Sequence, residues 1–262
     1  SRRAAEEDMD RQDSLIHEDE TVESLYGGRL KILQKKKGYR YAIDSVLLAH
    51  FVEAKRGERI LELGAGSAVI SLLLADRHRG LQVTAVEIQA DLADMARRSV
   101  SLNRLDERIT ILRADLRNAA GSLPAQAWDV AVFNPPYRKV GSGRVNPQAQ
   151  KALARHEIAG TVADFLEAAS RALKPGGRAC LIYPCSRMVE AVHRMRALKL
   201  EPKRLRMAHS RPGSRGKFVL VEGVKGGGEE LAVSKPLYIY REEGAYSDEL
   251  ETLLSGISVP AG

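Results

Sequence analysis

The sequence predicts an α/β fold built on a doubly wound, mostly parallel β-sheet with an antiparallel edge. Short apolar stretches with strand character alternate with stretches of helical periodicity along the middle of the chain. Several of the strand patterns end in an acidic or polar residue and are followed by a helical pattern. This alternation is typical of parallel strands joined by helices that cover both faces of the sheet.

Five strand patterns form the predicted parallel part of the sheet. In chain order they are 59–63, 82–87, 109–115, 130–134 and 178–183. Two further strand-like runs, 217–222 and 237–240, are separated by a loop that contains three consecutive glycines. We therefore expect the far edge of the sheet to be antiparallel.

Helix signals lie between the predicted strands. Asp91 can cap a helix whose apolar residues, beginning with Leu92 and Met95, share one face. Thr161 and Asp164 form a capping-box pattern ahead of a second amphipathic helix. These helices are the expected crossover connections of the sheet.

The chain of 262 residues divides into one large domain and two short ends. We expect residues 1–24 to form an acidic, flexible leader, residues 25–250 a single domain and residues 251–262 a tail. No apolar run approaches the roughly 18 residues that a membrane span needs. The two cysteines match neither a disulfide framework nor a metal site, and the six histidines are scattered without a ligand spacing. We therefore expect a cytoplasmic protein without a bound metal.

The distribution of charge separates the leader from the rest of the chain. Residues 1–24 carry a net charge of −6, so the other residues carry +13 within the total of +7. A strongly basic body predicts a polyanionic partner such as RNA. Its basic residues concentrate at 29–40, 138–144 and 203–217. The residues expected to bind RNA are Lys35, Lys36, Lys37, Arg138, Lys139, Arg211 and Arg215.

Three neighbouring strand ends carry groups that suit an adenosine-containing ligand. In the turn 62–66, glycines let the backbone turn sharply and approach a ligand closely. Glu87 can accept hydrogen bonds from ribose hydroxyls, Ile88 can pack on an adenine ring, and Asp115 can accept from an exocyclic amine. These groups alone do not distinguish a nicotinamide dinucleotide from S-adenosylmethionine. The candidate cofactor-binding residues are Glu62, Gly64, Ala65, Gly66, Glu87, Ile88, Asp115 and Leu116.

The fourth strand end favours S-adenosylmethionine. It carries Asn134-Pro135-Pro136-Tyr137, a stiff turn because each proline fixes its backbone and lacks an amide hydrogen. Hydrogen bonds from a planar amino group to the Asn134 side-chain oxygen and the Pro135 carbonyl would favour the pyramidal, attacking form of its nitrogen. Tyr137 can stack on a flat substrate and aim it at the methyl sulfonium. We therefore expect catalytic roles for Asn134, Pro135, Pro136 and Tyr137.

With these motifs the chain resembles the class I S-adenosylmethionine-dependent methyltransferases that act on amino nitrogens. It resembles more closely the bacterial tRNA1(Val) adenine-37-N6 methyltransferases, over about residues 25–250 and including the segments 39–48, 154–157 and 246–250. The resemblance implies a Rossmann-like sheet of seven strands, S-adenosyl-L-methionine as cofactor, and Asp44 and Asn134 near that cofactor. The implied target is adenine 37, beside the anticodon of a valine tRNA.

Other readings of the sequence remain open. The motif Asn-Pro-Pro-Tyr is shared by DNA adenine, rRNA guanine N2 and protein glutamine N5 methyltransferases. The glutamine enzymes usually carry a helical domain before the cofactor fold, whereas here only about 35 residues separate the acidic leader from the first strand. A non-catalytic RNA-binding protein could keep the same fold, but the intact Glu87, Asp115, Asn134 and Tyr137 argue against it. A nicotinamide dehydrogenase would leave the motif unexplained.

Overall fold

The computed structural model describes residues 14–37, 42–118, 121, 123–137, 160–242 and 244–256. The strands are β1 Glu20–Leu25, β2 Leu30–Lys35, β3 Arg59–Leu63, β4 Gln82–Glu87, β5 Ile109–Arg113, β6 Trp128–Phe133, β7 Leu173–Pro184, β8 Leu200–His209, β9 Gly216–Lys225, β10 Ala232–Val233, β11 Leu237–Tyr238, β12 Tyr240–Glu242 and β13 Ala245–Tyr246. The α-helices are α1 Ile43–Phe51, α2 Val69–Arg77, α3 Ala90–Leu102, α4 Val162–Ala172, α5 Met188–Ala197 and α6 Asp248–Ser255. None of the helices in this described part of the chain is long and apolar enough to cross a membrane.

The central sheet confirms the predicted, mostly parallel α/β fold. Its order is β10, β8, β9, β7, β6, β3, β4, β5, and β11 also pairs with β8, so the described sheet has nine strands where the resemblance implies seven. The two additional strands are β10 and β11, of two residues each. The strands β3 to β7 pair in parallel, whereas β9 runs antiparallel between β7 and β8. The expected antiparallel strand therefore lies inside the sheet rather than at its edge. Because a short turn joins β8 to β9, these two strands must be antiparallel, which leaves β8 parallel to β7.

Strand β8 has no counterpart among the strands that the sequence predicts. Its sequence contains Lys203, Arg204 and Arg206, which make it look like a solvated basic segment. In the structure Leu205 and Ala208 are buried, and the basic side chains lie at the other positions. A strand near a sheet edge tolerates charged residues at such positions, so charge alone is a poor sign of a loop.

The two faces of the sheet pack against different helices. On one face Ile60 and Val130 belong to a core that includes residues of α1 and α2. On the other face Leu61 and Phe133 pack in a core with Phe165 of α4. Alternate residues of β3 therefore serve opposite faces, as a pleated strand requires. Because helices pack on both faces of the sheet, the strand ends are held in fixed positions.

The observed starts of α3 and α4 lie close to the starts that the sequence predicts. The capping box at α4 is present, because the Thr161 side chain accepts from the Asp164 amide and the Asp164 carboxylate accepts from the Thr161 amide. Helix α3 begins earlier than expected, with Gln89 as its N-cap residue. Asp91 therefore lies in the first turn, where its negative charge still favours the helix dipole.

The hairpin β1–β2 joins part of the predicted leader to the domain. The boundary expected after residue 24 lies inside β1, whose residues 20–25 pair with 30–35. The Glu20 side chain is 0% exposed and forms ion pairs with Arg98 at 2.6 Å and Lys35 at 3.1 Å. Burial alone raises the pKa of Glu20, but hydrogen bonds from Arg98, the His17 amide and Lys35 outweigh it and lower the pKa to about 2. Glu20 therefore anchors the hairpin, while residues 1–13 lie outside the described part of the chain.

The last helix crosses the boundary expected after residue 250. Ser247 caps α6 by accepting from the Leu250 amide at 3.1 Å, and Leu250 is fully buried. Nearby, the Tyr26 hydroxyl and Nε2 of His50 are hydrogen-bonded at 2.7 Å. Burial lowers the pKa of His50 to about 3, so this ring is neutral at physiological pH. Residues 251–255 of the predicted tail are therefore helical.

Candidate active site

The parallel strands end at a common edge of the sheet, and the sequence motifs meet there. Leu63 at the end of β3 pairs with Val86 in β4 and with Phe133 in β6. The turn 64–68 and the turn 134–137 directly follow β3 and β6. Ligands of open α/β sheets bind at this edge, outside the carboxyl ends of the strands.

The turn after β3 requires glycine for a steric reason. Gly64 has a φ of +68°, and a Cβ there would lie 2.8 Å from Cε1 of Phe165. The Ala65 amide donates to the Val86 carbonyl at 2.9 Å, which ties the turn to β4. Ala68 stands where many nucleotide-binding folds have another glycine, and it has a left-handed backbone with a φ of 61°. That conformation costs an alanine about 1–2 kcal/mol.

Glu62 supports the turn from below rather than facing the cleft. Its side chain is buried, and its Oε2 accepts hydrogen bonds from the Ser71 amide at 3.0 Å and from the Ser71 hydroxyl. Burial, with a smaller contribution from the nearby Glu87 charge, outweighs the hydrogen bonds from Ser71 and raises the pKa of Glu62 to about 8. In the structure Glu62 thus anchors helix α2, and its contact with a cofactor stays a prediction.

Glu87 lies at the centre of a small cleft between β3, β4 and β5. One carboxylate oxygen accepts from the Gly66 amide and the other from the Gln89 amide, both at 2.8 Å. The side chain is buried, which raises its pKa, while these backbone hydrogen bonds act in the opposite direction. The cleft brings together five of the ten predicted cofactor-binding residues, namely Gly64, Glu87, Ile88, Asp115 and Leu116. Its lining is formed by Gly64, Val86, Glu87, Ile88, Ala114, Asp115 and Leu116.

Asp115 closes the far side of this cleft and is paired with Arg117. The two side chains form an ion pair at 2.7 Å, and the Arg117 amide also donates to Asp115 at 3.0 Å. The hydrogen bond from Arg117 lowers the pKa of Asp115, so this carboxyl is ionised at neutral pH. An amine that binds Asp115 must therefore share the carboxylate with Arg117.

The turn after β6 forms a compact polar cluster with helix α1. The Tyr137 hydroxyl lies 2.5 Å from Oδ1 of Asn134 and 2.6 Å from Oδ2 of Asp44. Asp44 is buried in the first turn of α1, and its Oδ1 accepts from the Ser45 amide at 2.9 Å. Two acceptors therefore share one hydroxyl hydrogen, and Asp44 lies beside Tyr137 of the motif. Pro135 is buried beneath them.

Three residues that the sequence analysis did not select hold the Tyr137 ring. The ring centroid of Tyr137 lies 6.0 Å from that of Tyr183 and 5.9 Å from that of Phe218. Arg187 donates to the Tyr137 carbonyl at 2.9 Å and lies over the Tyr183 ring. Tyr183 ends a parallel strand, so the rule that selected Glu87 could have found it. Phe218 and Arg187 reach the site only through tertiary packing.

The lysines expected to bind RNA at 35–37 are close to acidic residues of the leader. Lys35 forms ion pairs with Asp19 at 2.9 Å and Glu20 at 3.1 Å. The Lys36 ammonium group donates to a backbone carbonyl of the 18–20 segment at 2.7 Å. Lys37 is exposed at the end of the hairpin. The charge of Lys35 is therefore largely compensated within the chain.

The other residues expected to bind RNA fall into two groups: two are exposed, and two lie outside the described part of the chain. Arg211 and Arg215 are exposed in the turn between β8 and β9. Arg138 and Lys139, and the segment 154–157 noted for its resemblance, lie outside the described residues. Residues 39–41 of the motif ahead of α1 also lie outside them, whereas 43–48 form the start of that helix after Ala42 as its N-cap residue.

Comparison with known sequences identifies relatives of this chain. The model of the methyltransferase small domain family matches residues 42–198. The tRNA1(Val) (adenine(37)-N6)-methyltransferase of Tolumonas auensis is 31% identical over 152 residues, which are 58% of this chain and 62% of that relative. The protein of the same name from Aeromonas hydrophila is 28% identical over 213 residues, or 81% of this chain and 87% of that relative. The match thus spans less than two thirds of the first relative and most of the second.

Solved structures agree with the fold. A predicted O-methyltransferase from Agrobacterium tumefaciens is 26% identical with a TM-score of 0.67, covering 81% of this chain and 96% of that chain. A SAM-dependent O-methyltransferase from Thermotoga maritima, at 21% identity and a TM-score of 0.51, covers 74% of this chain and 69% of its own length and has the same fold. The predicted fold is therefore confirmed. With a family match over more than half of its length, the chain belongs to the methyltransferase small domain family.

Proposed function

We propose that this protein transfers a methyl group from S-adenosyl-L-methionine to N6 of an adenine in tRNA, and that the target is adenine 37 of a valine tRNA. One observation carries the proposal. The side-chain oxygen of Asn134 lies at the end of β6, beside the cleft of Glu87, in a turn stiffened by two prolines. The tRNA1(Val) (adenine(37)-N6)-methyltransferases among its relatives support the choice of substrate. A tRNA substrate would place the reaction in the cytoplasm.

The residues of the cleft fit the adenosine part of S-adenosyl-L-methionine. Glu87 offers a carboxylate to the ribose hydroxyls, and Ile88 and Leu116 provide apolar surface for the adenine ring. Asp115 can accept from the adenine amino group while keeping part of its contact with Arg117. When bound, the cofactor supplies an electrophilic methyl group on a sulfonium.

Asn134 would hold the amino nitrogen that receives the methyl group. Its Oδ1 and the Pro135 carbonyl accept one hydrogen bond each from the two hydrogens of the amino group. These contacts strengthen as the nitrogen becomes pyramidal, so they stabilise the transition state more than the ground state. The nitrogen held there would use its lone pair to accept the methyl group as the cofactor's carbon–sulfur bond breaks, and would then lose a proton to solvent. No strong base is needed before transfer.

The substrate must first displace the Tyr137 hydroxyl from Asn134. That hydroxyl lies 2.5 Å from Oδ1 of Asn134, which is the atom that the amino group needs. Asp44 lies 2.6 Å from the same hydroxyl and can keep its hydrogen bond while Asn134 turns to the substrate. Asp44 therefore preserves the position of the Tyr137 ring, which stacks on the base.

A protein glutamine is the rival substrate, because its amide nitrogen presents the same planar geometry. Two features favour RNA instead. The body of the chain is strongly basic, and exposed cations lie near the ends of β8 and β9. An anticodon loop also offers unstacked bases, so the enzyme need not open a duplex.

The proposed function is tested with labelled S-adenosylmethionine and total tRNA from cells that lack this modification. Nucleoside mass spectrometry should then detect N6-methyladenosine. A duplex DNA and a glutamine-containing peptide serve as parallel substrates. If the peptide is labelled and the tRNA is not, the substrate is a protein glutamine instead. If the label is found on guanine, the enzyme has a different RNA target.

A further inference from the structure

A group of aromatic and basic residues lies on the same edge of the sheet as Asn134, at the ends of β8, β9 and β11. Because β8 is parallel to β7, its C-terminal residue His209 lies at this edge. In sheet order, β8 is three strands from β6, which corresponds to about 14 Å at the usual spacing between strands. We call the group the β8 surface, and its members are His209, Arg211, Arg215, Lys217, Phe218 and Tyr238.

The aromatic residues of the β8 surface connect to the proposed catalytic turn. Phe218 lies between Pro184 and Ala208 in the sheet, and its ring centroid is 5.9 Å from that of Tyr137. Farther from the turn, the rings of His209 and Tyr238 are in contact at 5.7 Å, and both residues are half-buried. Two separate ring pairs, Tyr137 with Phe218 and His209 with Tyr238, therefore lie toward this edge of the sheet.

The cations of the β8 surface are free of carboxylate partners within the described part of the chain. Arg211, Arg215 and Lys217 are exposed, and Lys217 lies over the Phe218 ring at 5.3 Å. The basic residues earlier in β8 differ. Arg204 pairs with Glu53 and Glu222, and Arg206 pairs with Glu249. Unlike Arg204 and Arg206, the three cations of the β8 surface are therefore available to an anionic partner.

We infer that the β8 surface binds the single-stranded nucleotides that flank the target adenine in the RNA loop. Arg211, Arg215 and Lys217 contact their phosphates, and one flanking base stacks on the His209–Tyr238 pair. Stacking on aromatic rings requires unstacked bases, which a loop provides and a duplex does not. This inference rests on the proposed function and adds a docking surface outside the reacting centre.

The charge part of the inference is tested by neutralising the three cations together, as Arg211→Gln, Arg215→Gln and Lys217→Gln. The matched control neutralises Lys55, Arg56 and Arg79, which are exposed in the loops that precede β3 and β4 at the opposite edge. The affinity for unmodified tRNA is measured over a series of salt concentrations without cofactor. The slope of log affinity against log salt should fall in magnitude by about 2, because each contact to a single-stranded phosphate contributes about 0.7.

The control variant should keep the wild-type slope. Steady-state kinetics should show that neutralisation of the β8 surface raises KM for tRNA about tenfold or more, with kcat and cofactor affinity unchanged. A slope and a KM equal to those of the control would overturn the inference. These binding data are independent of methyl transfer. If the wild-type protein methylates no RNA, the proposed function fails, whereas the slopes still decide whether this surface binds RNA.

The stacking part is tested with Tyr238→Ala and Tyr238→Phe. Loss of the ring should weaken binding of an anticodon stem-loop by about five- to a hundredfold, the usual effect of removing one base-stacking ring, whereas phenylalanine should keep the affinity. Tyr246→Ala is the matched control, because Tyr246 is 40% exposed and stacks on Tyr240 outside the β8 surface. Equal losses for Tyr238→Ala and Tyr246→Ala, or a loss in Tyr238→Phe as large as in Tyr238→Ala, would contradict a stacking role. Thermal unfolding verifies that each variant is folded.

Discussion

The two halves of the cleft at the strand ends are built differently. In the cofactor half, the carboxylate of Glu87 is held by the backbone amides of Gly66 and Gln89. In the acceptor half, Asn134 and Asp44 share the single hydroxyl of Tyr137. The amide of Gly66 in the turn after β3 and that of Gln89 at the start of α3 are fixed by the backbone and cannot leave without local unfolding, whereas a side-chain hydroxyl can change partners by a small rotation.

This difference indicates which half of the site is already in its binding geometry before a ligand arrives. The cofactor half is fixed by the sheet, so the ligand finds its acceptors already oriented. In the acceptor half, the Asn134 oxygen is already hydrogen-bonded to the Tyr137 hydroxyl. This internal hydrogen bond is exchanged for bonds to the substrate. Substitutions in the two halves should therefore separate into effects on cofactor affinity and effects on methyl transfer.

The largest expected effect comes from Asn134→Ala. Because the Asn134 oxygen should contact the amino group mainly in the transition state, we expect single-turnover methyl transfer to fall at least about a hundredfold. Cofactor affinity measured by calorimetry should stay within a few-fold of wild type. Transfer rates close to those of wild type in a folded variant would remove Asn134 from the mechanism.

Glu87→Ala should have the reverse pattern. Losing hydrogen bonds to a charged acceptor costs about 1.5–3 kcal/mol, so cofactor affinity should fall by roughly one to two orders of magnitude. Once the cofactor is saturating, the transfer rate should recover. Glu107→Ala, at an exposed site before β5, is the matched control. Unchanged affinity in Glu87→Ala would show that the ribose is bound elsewhere.

Tyr137 sharpens the comparison because its ring and its hydroxyl have separate roles. Tyr137→Phe frees the Asn134 oxygen and keeps the ring, so we expect kcat/KM within about tenfold of wild type. Tyr137→Ala removes the stacking surface and should lower kcat/KM by about five- to a hundredfold, the range measured for base stacking on aromatic rings. The account of an exchanged hydroxyl fails if phenylalanine and alanine are equally damaging.

The smallest effect on activity is expected from Glu62→Gln, which should leave cofactor affinity nearly unchanged and act on stability. The folded pKa of Glu62 is raised to about 8 from 4.5. The folded state therefore binds more protons than the unfolded state between these values, and stability falls as pH rises through this window. Glutamine stays neutral, so the variant should gain on wild type by at most about 1.4 kcal/mol per pH unit.

The measurement is the difference in unfolding free energy between Glu62→Gln and wild type from pH 6.5 to 8. His50 titrates in the opposite sense, because its folded pKa is lowered to about 3 from 6.5 and its contribution is lost as pH falls below 6.5. Above pH 6.5 that contribution is nearly constant. A pH-independent difference between the two proteins would contradict a protonated Glu62.

The strand-end rule explains how much of the site could be predicted from the sequence. A residue at the end of a parallel strand, or within two residues after it, is placed at this edge by the sheet itself, so the sequence predicts Glu87, Asp115 and Asn134 one strand at a time. The contact of Glu62 with Ser71 of α2 could not be predicted in this way, because it joins two elements across the packing of the domain. Local patterns place a residue along the chain but do not show which of its neighbours it contacts.

Long-range pairing is what the sequence could not supply. The clusters at 29–37 and 203–217 look equally basic, yet Lys35 is paired with Glu20 from the leader, whereas Arg211 and Arg215 are exposed and unpaired among the described residues. Pairing between β1 and β2 decides the first case, and the β8–β9 turn decides the second. Counting charges in the sequence tells how many cations the chain has. The fold is needed to show which of them have no carboxylate partner and can bind an anion.

The most direct test of the account is to map the methyl group on a defined RNA. An unmodified valine tRNA transcript and the same transcript with guanine at position 37 are incubated with the protein and S-adenosylmethionine, digested with a ribonuclease and analysed by mass spectrometry. The account predicts one added methyl group in the anticodon-loop fragment of the first transcript, recovered as N6-methyladenosine, and none in the second. Equal methylation of both transcripts, or a methyl group in another fragment, would contradict it.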